Sequence, residues 1–158
     1  SRPGYEQVAA YSKFLWDVAV DEHDRAYIAT QSDHGGHILR YDPSANQGKG
    51  QWTDLLPGGV QPGETEVRSL AYDNGFLYAG TGTKSLSILR INTSNNTATK
   101  LSVPSHVTAG LGHLERLQVK AGNLYVGTNV PGKIRPTCGG TCVLDPARGS
   151  EDEGRQAD

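Results

Sequence analysis

Residues 67–81 read VRSLAYDNGFLYAGT, and this stretch decides the fold because it has the features of a complete β-hairpin. Apolar residues alternate with smaller or polar ones up to Tyr72, and residues 76–78 are suited to a returning strand. Between them, Asn74 and Gly75 supply the two positive φ angles that a type I′ turn requires. The sequence therefore predicts two antiparallel strands joined by a tight turn.

A degenerate copy of this hairpin lies on each side of it. The copy before it is FLWDVAVDEHDRAYIAT at residues 14–30, and the copy after it is LERLQVKAGNLYVGT at residues 114–128. Each hairpin is followed by a similar third strand: HILRY at 37–41, SILRI at 87–91 and CVLDP at 142–146. The chain is thus predicted to repeat one strand pattern three times.

The spacing of the copies predicts the architecture. Tyr27, Tyr78 and Tyr125 recur at intervals of 51 and 47 residues, and the drift is confined to turns and loops. A period of about 50 residues with four short strands per unit is typical of β-propeller blades. We therefore predict an all-β fold of about three four-stranded antiparallel blades. The three repeats are residues 14–56, 66–103 and 114–146.

The two ends of the chain fall outside these repeats. Residues 1–13 form an N-terminal segment in which YEQVAAYS is expected to be an outer strand that completes the third blade. Residues 147–158 are charged, nearly devoid of apolar side chains and predicted to be disordered. Three blades are fewer than the four to eight that usually close a ring. Either two chains combine into one ring as a homodimer, or these blades belong to a longer propeller.

Composition narrows the classes of partner. The chain has 15 basic and 17 acidic side chains, well interspersed, and a formal charge of −2. It therefore lacks the basic patch that binds nucleic acid or an anionic membrane, and we expect neither as a partner. The sequence contains no apolar run of about 18 residues, so it predicts no membrane-spanning helix.

The first residue and the cysteines bear on where the protein is located. The chain begins at Ser1 and contains no methionine, as expected of a processed mature form or of a segment of a longer protein. A removed secretion signal would make it secreted or periplasmic. Cys138 and Cys142 are separated only by Gly-Gly-Thr and could form a disulfide across a loop tip. Free thiols and a metal site are the alternatives.

The segment LAYDNGFLYAGT with ILRI, and its partner LQVKAGNLYVGT with VLDP, resemble the repeats of a known superfamily. These are the secreted bacterial propellers of the broad YVTN, SMP-30-like and lyase-like superfamily. The resemblance covers about residues 14–146 and implies the fold. Its members include hydrolases, lyases, lectin-like binders and scaffolds, so the resemblance alone does not select an activity.

Blade geometry predicts which loops carry function. The loop between the second and third strands opens on the same face as the connection to the next blade, and sites usually gather on such loops. Four of the five histidines fall on this predicted face: His34, His37, His106 and His113. His34 and His37 flank Gly-Gly, which permits a shared metal, but a polar loop of this kind is more often only solvated.

The sequence offers two kinds of candidate site residue. One of the four histidines could act as the base that removes the proton next to a sugar carboxylate, with Arg135 or Lys84 neutralising its charge, as the resemblance to polysaccharide lyases implies. The candidates for ligand contact are Trp16, Trp52, Lys84 and Glu66, the two tryptophans because they do not recur between repeats.

We predict an extracellular module that binds a ligand, with a carbohydrate as the first candidate. The alternatives are a lyase or hydrolase that uses histidine, and a structural segment that only completes a ring. The sequence identifies no cofactor.

Overall fold

The computed structural model describes residues 5–82, 87–101, 113–129 and 141–144. These residues form three antiparallel sheets in which every strand pairs with its neighbour in sequence. Sheet 1 contains β1 (Phe14–Val20), β2 (Ala26–Gln31), β3 (Ile38–Asp42) and β4 (Gln51–Asp54). Sheet 2 contains β5 (Ser69–Asp73), β6 (Phe76–Thr81), β7 (Ser87–Asn92) and β8 (Thr97–Leu101). Sheet 3 contains β9 (His113–Lys120), β10 (Asn123–Asn129) and β11 (Thr141–Leu144). The all-β prediction is confirmed.

The central hairpin is formed as the sequence predicts. Asp73 pairs with Phe76 across the turn, and Asn74 and Gly75 have φ angles of 44° and 85°. Both angles lie in the left-handed region that a type I′ turn needs and that glycine and asparagine adopt most readily. The β9–β10 turn repeats this geometry with Ala121 and Gly122, at φ angles of 52° and 77°.

The N-terminal segment differs from the prediction. Residues expected to be an outer strand form helix α1 (Tyr5–Tyr11), so that part of the prediction is wrong. Two features favour the helix: Ala9 and Ala10 have high helix propensity, and Val8 is almost fully buried, with 4% of its surface exposed. Ser12 ends the helix, since its hydroxyl donates to the Val8 carbonyl.

A second short helix, α2 (Ala45–Gly48), follows β3 after Asp42-Pro43-Ser44. Inside it, Asn46 and Gln47 have positive φ angles of 54° and 58°. Neither helix in the described part of the chain has the length and apolar character needed to cross a lipid bilayer.

The sheets pack in chain order, each using the same pair of faces. We call the face that packs on the next sheet the forward face, and the face that packs on the preceding sheet the back face. The first core joins the forward face of sheet 1 to the back face of sheet 2 and contains Tyr27, Ala29, Ile38, Leu70, Leu77, Ala79, Leu89 and Ile91. The second core joins sheet 2 to sheet 3 in the same way and contains Ala71, Tyr78, Ile88, Leu117, Leu124 and Val126. Burial of each large side chain contributes about 1.5–3 kcal/mol.

Hydrogen bonds connect the first strands of the three sheets. Asp17 of β1 accepts from the Ser69 hydroxyl and the Leu70 amide of β5, both at 2.9 Å. The Ser69 oxygen in turn accepts from the Leu117 amide of β9, also at 2.9 Å. One polar residue at the same repeat position therefore links each sheet to the next.

Candidate functional site

The first strands of the three sheets surround a cavity of about 460 Å³. Its apolar lining includes Val18, Leu70 and Leu117, one from each of these strands. Its polar lining consists of Asp17, Arg116, Gln118 and Lys120. A cavity of this size is within the range of small-ligand sites. The strands that line it also carry a cluster of aromatic and charged residues.

This cluster lies where β1, β5 and β9 begin. We call it the Trp16 cluster, and its members are Phe14, Trp16, Gln31, Glu66, Arg68 and Glu115. Trp16 is its centre: the indole N–H donates to the Gln31 side-chain oxygen at 2.8 Å. The Arg68 guanidinium lies over the indole ring, 3.9 Å from its centroid, in a cation–π contact.

Two carboxylates flank the Arg68 cation. The Glu66 oxygen lies 3.7 Å from Nε of Arg68, and the Glu115 oxygen lies 3.8 Å from its terminal nitrogen. Both distances exceed those of normal hydrogen bonds, so the attraction is mainly electrostatic. Glu66 is buried, whereas the Glu115 side chain is 45% exposed. Arg68 is thus held between an aromatic ring and two opposite charges.

The aromatic part of the cluster is open to solvent. Phe14 stacks beside Trp16 with ring centroids 5.6 Å apart and an interplanar angle of 28°. The two residues are 54% and 41% exposed, although large aromatic side chains are usually covered. Together they form an apolar surface bordered by hydrogen-bonding groups.

Three members of the cluster share a repeat position. Val18, Leu70 and Leu117 are equivalent in the three repeats, so the residues two places earlier, Trp16, Arg68 and Glu115, are equivalent as well. The same position in three successive sheets therefore supplies an aromatic ring, a cation and a carboxylate to one place.

No protein-family model matches this sequence, and no curated protein matches it. Among solved structures, the chain is similar to one in a crystal structure of a nidogen/laminin complex. The two chains are 16% identical and have a TM-score of 0.45. The match covers 89% of this chain and 64% of that chain, so this chain spans less than two thirds of its length.

The two candidate histidines whose side chains are described, His34 and His37, have different partners. His37 is buried, and its Nδ1 atom lies 2.8 Å from an Asp54 oxygen. The other Asp54 oxygen accepts from the Leu56 amide, so the pair fixes two loops to each other. His34 is exposed and stacks on Tyr11, with ring centroids 4.4 Å apart. Among the residues whose placement is described, no three His, Cys, Asp or Glu side chains form a metal-binding group.

The two tryptophans are also separated. Trp52 of β4 pairs with Tyr41 of β3, which pairs with Ala26 of β2. Ala26 in turn pairs with Val20, at the end of β1 that is far from Trp16. Its indole ring lies 5.0 Å from the Tyr41 ring, half-buried. Trp16 and Trp52 therefore cannot serve one small ligand. Of the four candidates for ligand contact, Trp16 and Glu66 lie in the same cluster.

The remaining candidates fall largely outside the description. Lys84, His106, Arg135 and Cys138 lie outside the described residues. For His113 in β9 and Cys142 in β11, only the backbone is described. The disulfide therefore stays a prediction.

Sequence reasoning missed Phe14, Gln31, Arg68 and Glu115. For Arg68 and Glu115 a signal was present, since both stand at the repeat position of Trp16. Phe14 could be found as an aromatic residue two places before Trp16 in the same strand. Gln31 has no such signal, because it comes to the indole only through the pairing of β1 with β2.

Proposed function

We propose that this chain is a β-propeller module that binds an extracellular carbohydrate at the Trp16 cluster. One observation carries the proposal: one repeat position brings Trp16, Arg68 and Glu115 into contact through the Arg68 guanidinium. Residues that recur between repeats form the cores, so a position that varies in this way is suited to a site on a repeated scaffold. A secreted or periplasmic location is part of this proposal.

The chemistry of the cluster suits a sugar. The exposed rings of Phe14 and Trp16 offer an aromatic surface for the C–H face of a pyranose ring. Gln31 and Glu115 carry acceptors for sugar hydroxyls at the edge of this surface. Arg68 keeps the indole in a fixed orientation, so little side-chain entropy is lost on binding.

The test is calorimetric titration of the chain with oligosaccharides of cellulose, xylan and chitin and with oligogalacturonates. We expect at least one of them to bind. Trp16→Ala should weaken that binding about tenfold or more, because it removes the stacking surface and the Arg68 contact. In the Trp52→Phe variant Trp16 is the only tryptophan, and its fluorescence should change on titration.

Trp52→Phe is the matched control, since Trp52 lies at the opposite end of sheet 1 from Trp16. This variant should bind the sugar with the same affinity as the unmodified chain. Equal affinities for Trp16→Ala and the unmodified chain would place the ligand elsewhere. If none of the sugars binds, the structural-segment alternative replaces this proposal.

A lyase or hydrolase remains the second candidate because His37 and Asp54 form a hydrogen-bonded pair of the kind that orients a general base. Against it, His37 is only 7% exposed. The same incubations separate the two functions. A binding module leaves the sugar unchanged, whereas an enzyme releases shortened or unsaturated sugars.

A further inference from the structure

Sheet 1 has an apolar back face that is left open at β1. Val18 and Val20 are 57% and 55% exposed. The equivalent residues of sheet 2, Leu70 and Tyr72, pack against sheet 1. Helix α1 packs near β4, at the other edge of sheet 1, and leaves β1 uncovered. The first strand of sheet 1 thus presents the surface that a preceding sheet covers elsewhere in the molecule.

Sheet 3 presents the opposite kind of surface. On its forward face, the exposed residues of β9 are Arg116, Gln118 and Lys120. The equivalents of Arg116 in the first two sheets are Asp17 and Ser69, each of which contacts the sheet that follows. Arg116 therefore stands at the position that makes the contact between sheets.

The contact between sheets 1 and 2 shows what Arg116 would meet. Asp17 and Ser69 are equivalent residues of successive sheets, and their side chains are hydrogen bonded at 2.9 Å. If a sheet equivalent to sheet 3 packed before sheet 1 in the same geometry, its Arg116 would lie against Asp17. The two charges are opposite, and Asp17 lines the cavity.

The backbone agrees with this pairing. The Leu70 and Leu117 amides donate to an oxygen of the preceding sheet, which Arg116 could not provide. In sheet 1 the equivalent amide, that of Val18, donates instead to Oδ1 of its neighbour Asp17 at 2.9 Å. Of the three sheets, only sheet 1 can therefore pack after a sheet that carries arginine at this position without leaving the equivalent amide unpaired.

We propose that two copies of this chain associate, with the forward face of sheet 3 of each copy on the back face of sheet 1 of the other. Arg116 of one copy pairs with Asp17 of its partner, twice per dimer. The two copies together contain six sheets, within the range of about four to eight that closes a ring. The cavity between the first strands is then completed by both copies. This inference rests on the propeller architecture proposed above and not on sugar binding.

The test is sedimentation equilibrium of the full chain over a wide range of concentrations. We expect a reversible dimer. Arg116→Glu should weaken dimerisation about 100-fold, because the contact occurs twice and facing like charges weaken each about tenfold. Val20→Asp should weaken it comparably by placing a charge in the apolar contact. Both side chains are exposed, so circular dichroism should show an unchanged fold.

Lys100→Glu is the matched control, since Lys100 is exposed on the outermost strand of sheet 2 and should leave the dimer unchanged. A mixture of Arg116→Glu and Val20→Asp chains should dimerise better than either variant alone, because a mixed pair keeps one unaltered contact.

Three results would overturn the proposal: a monomer at concentrations up to about 1 mM, where even weak association is populated; a dimer that both substitutions leave intact; or a failure of the mixture to recover association. Titration with the sugar panel keeps the two proposals apart. A monomer that binds sugar contradicts the dimer alone, and a dimer that binds none contradicts sugar binding alone.

Discussion

Asp21 shows how one buried charge is stabilised beside the first core. Its carboxylate accepts hydrogen bonds from the Tyr27 hydroxyl, the Arg25 guanidinium and two backbone amides. Burial alone would raise the pKa of Asp21, but the hydrogen bonds from Tyr27, Arg25 and His23 outweigh it and hold the pKa below its ordinary value. Burial, and then the bond to Asp21, raise the pKa of Tyr27 to about 12.

These shifts predict loss of stability at both ends of the pH range. An unfolded tyrosine loses its proton near pH 10, whereas folded Tyr27 keeps it to about pH 12, so Tyr27 makes the free energy of unfolding fall as the pH rises through this window. The lowered pKa of Asp21 has the opposite sign, and its contribution is lost as acid protonates the folded carboxylate. Tyr27→Phe should make the alkaline fall shallower and cost about 1.5–3 kcal/mol near neutral pH. Urea unfolding at about pH 8 to 12 measures both. Parallel alkaline slopes for the two proteins would exclude this role of Tyr27.

At this scale the sequence distinguishes core residues from site residues only in part. Tyr27 and Tyr78 recur between repeats and are buried in the two cores, and recurrence at one repeat position is typical of residues that pack neighbouring repeats. Trp16 and Trp52 do not recur, but only Trp16 lies in the aromatic and charged cluster. Their separation depends on strand register, which a list of residue types does not contain.

Among the elements, the loop between β2 and β3 is held by a close backbone approach at Gly36. Its amide donates to the Glu64 carbonyl, and its own carbonyl accepts from the Val60 amide, both at 2.9 Å. A Cβ atom at this position would lie 2.8 Å from the Glu66 carbonyl carbon and 3.0 Å from the Glu66 nitrogen. Because these neighbours are backbone atoms, they cannot move aside as a side chain can.

Gly36→Ala should therefore cost about 1–3 kcal/mol of stability, as overpacking does in well-packed regions. Glu66 also bridges to Gln31, so a displaced Glu66 backbone should disturb the Trp16 cluster and weaken sugar binding too. Gly58→Ala is the matched control, since no atom lies within 4 Å of its Cβ position, and its effect should stay within about 0.5 kcal/mol. Urea midpoints compare the two variants. Equal stability would mean that the approach of Gly36 to Glu66 is not tight in solution.

The elements were predictable where alternation and turn residues coincide. The central hairpin meets both conditions and is formed as predicted. Residues 5–11 meet neither, because Tyr5, Val8 and Tyr11 have a helical spacing that a short run shares with an irregular strand. An outer strand is predicted there only because the third repeat lacks a fourth strand. Local propensity and the burial of Val8 favour the helix instead.

For the whole molecule, repetition predicts the three sheets but not the bonds between them. The apolar alternation of each repeat implies that both faces of sheet 2 are covered, and the two cores agree. The polar link runs from Asp17 through Ser69 to the Leu117 amide. Asp17 and Ser69 stand at one repeat position but differ in residue type, so the repeat pattern does not predict this link. At this repeat position the third sheet carries Arg116.

Ser69 is the residue through which all three sheets are joined. It is 1% exposed, its hydroxyl donates to Asp17 of sheet 1, and it accepts from the Leu117 amide of sheet 3. Ser69→Ala should cost about 1–3 kcal/mol, because it leaves a buried amide without its acceptor. The loss should extend to sheet 3, with faster hydrogen exchange at the Leu117 amide than in the unmodified chain. Ser94→Ala removes an exposed hydroxyl that bonds only locally to Asn92, and it should change stability by less than about 0.5 kcal/mol. Unchanged exchange at Leu117 in Ser69→Ala would show that the apolar cores alone hold sheet 3 in place.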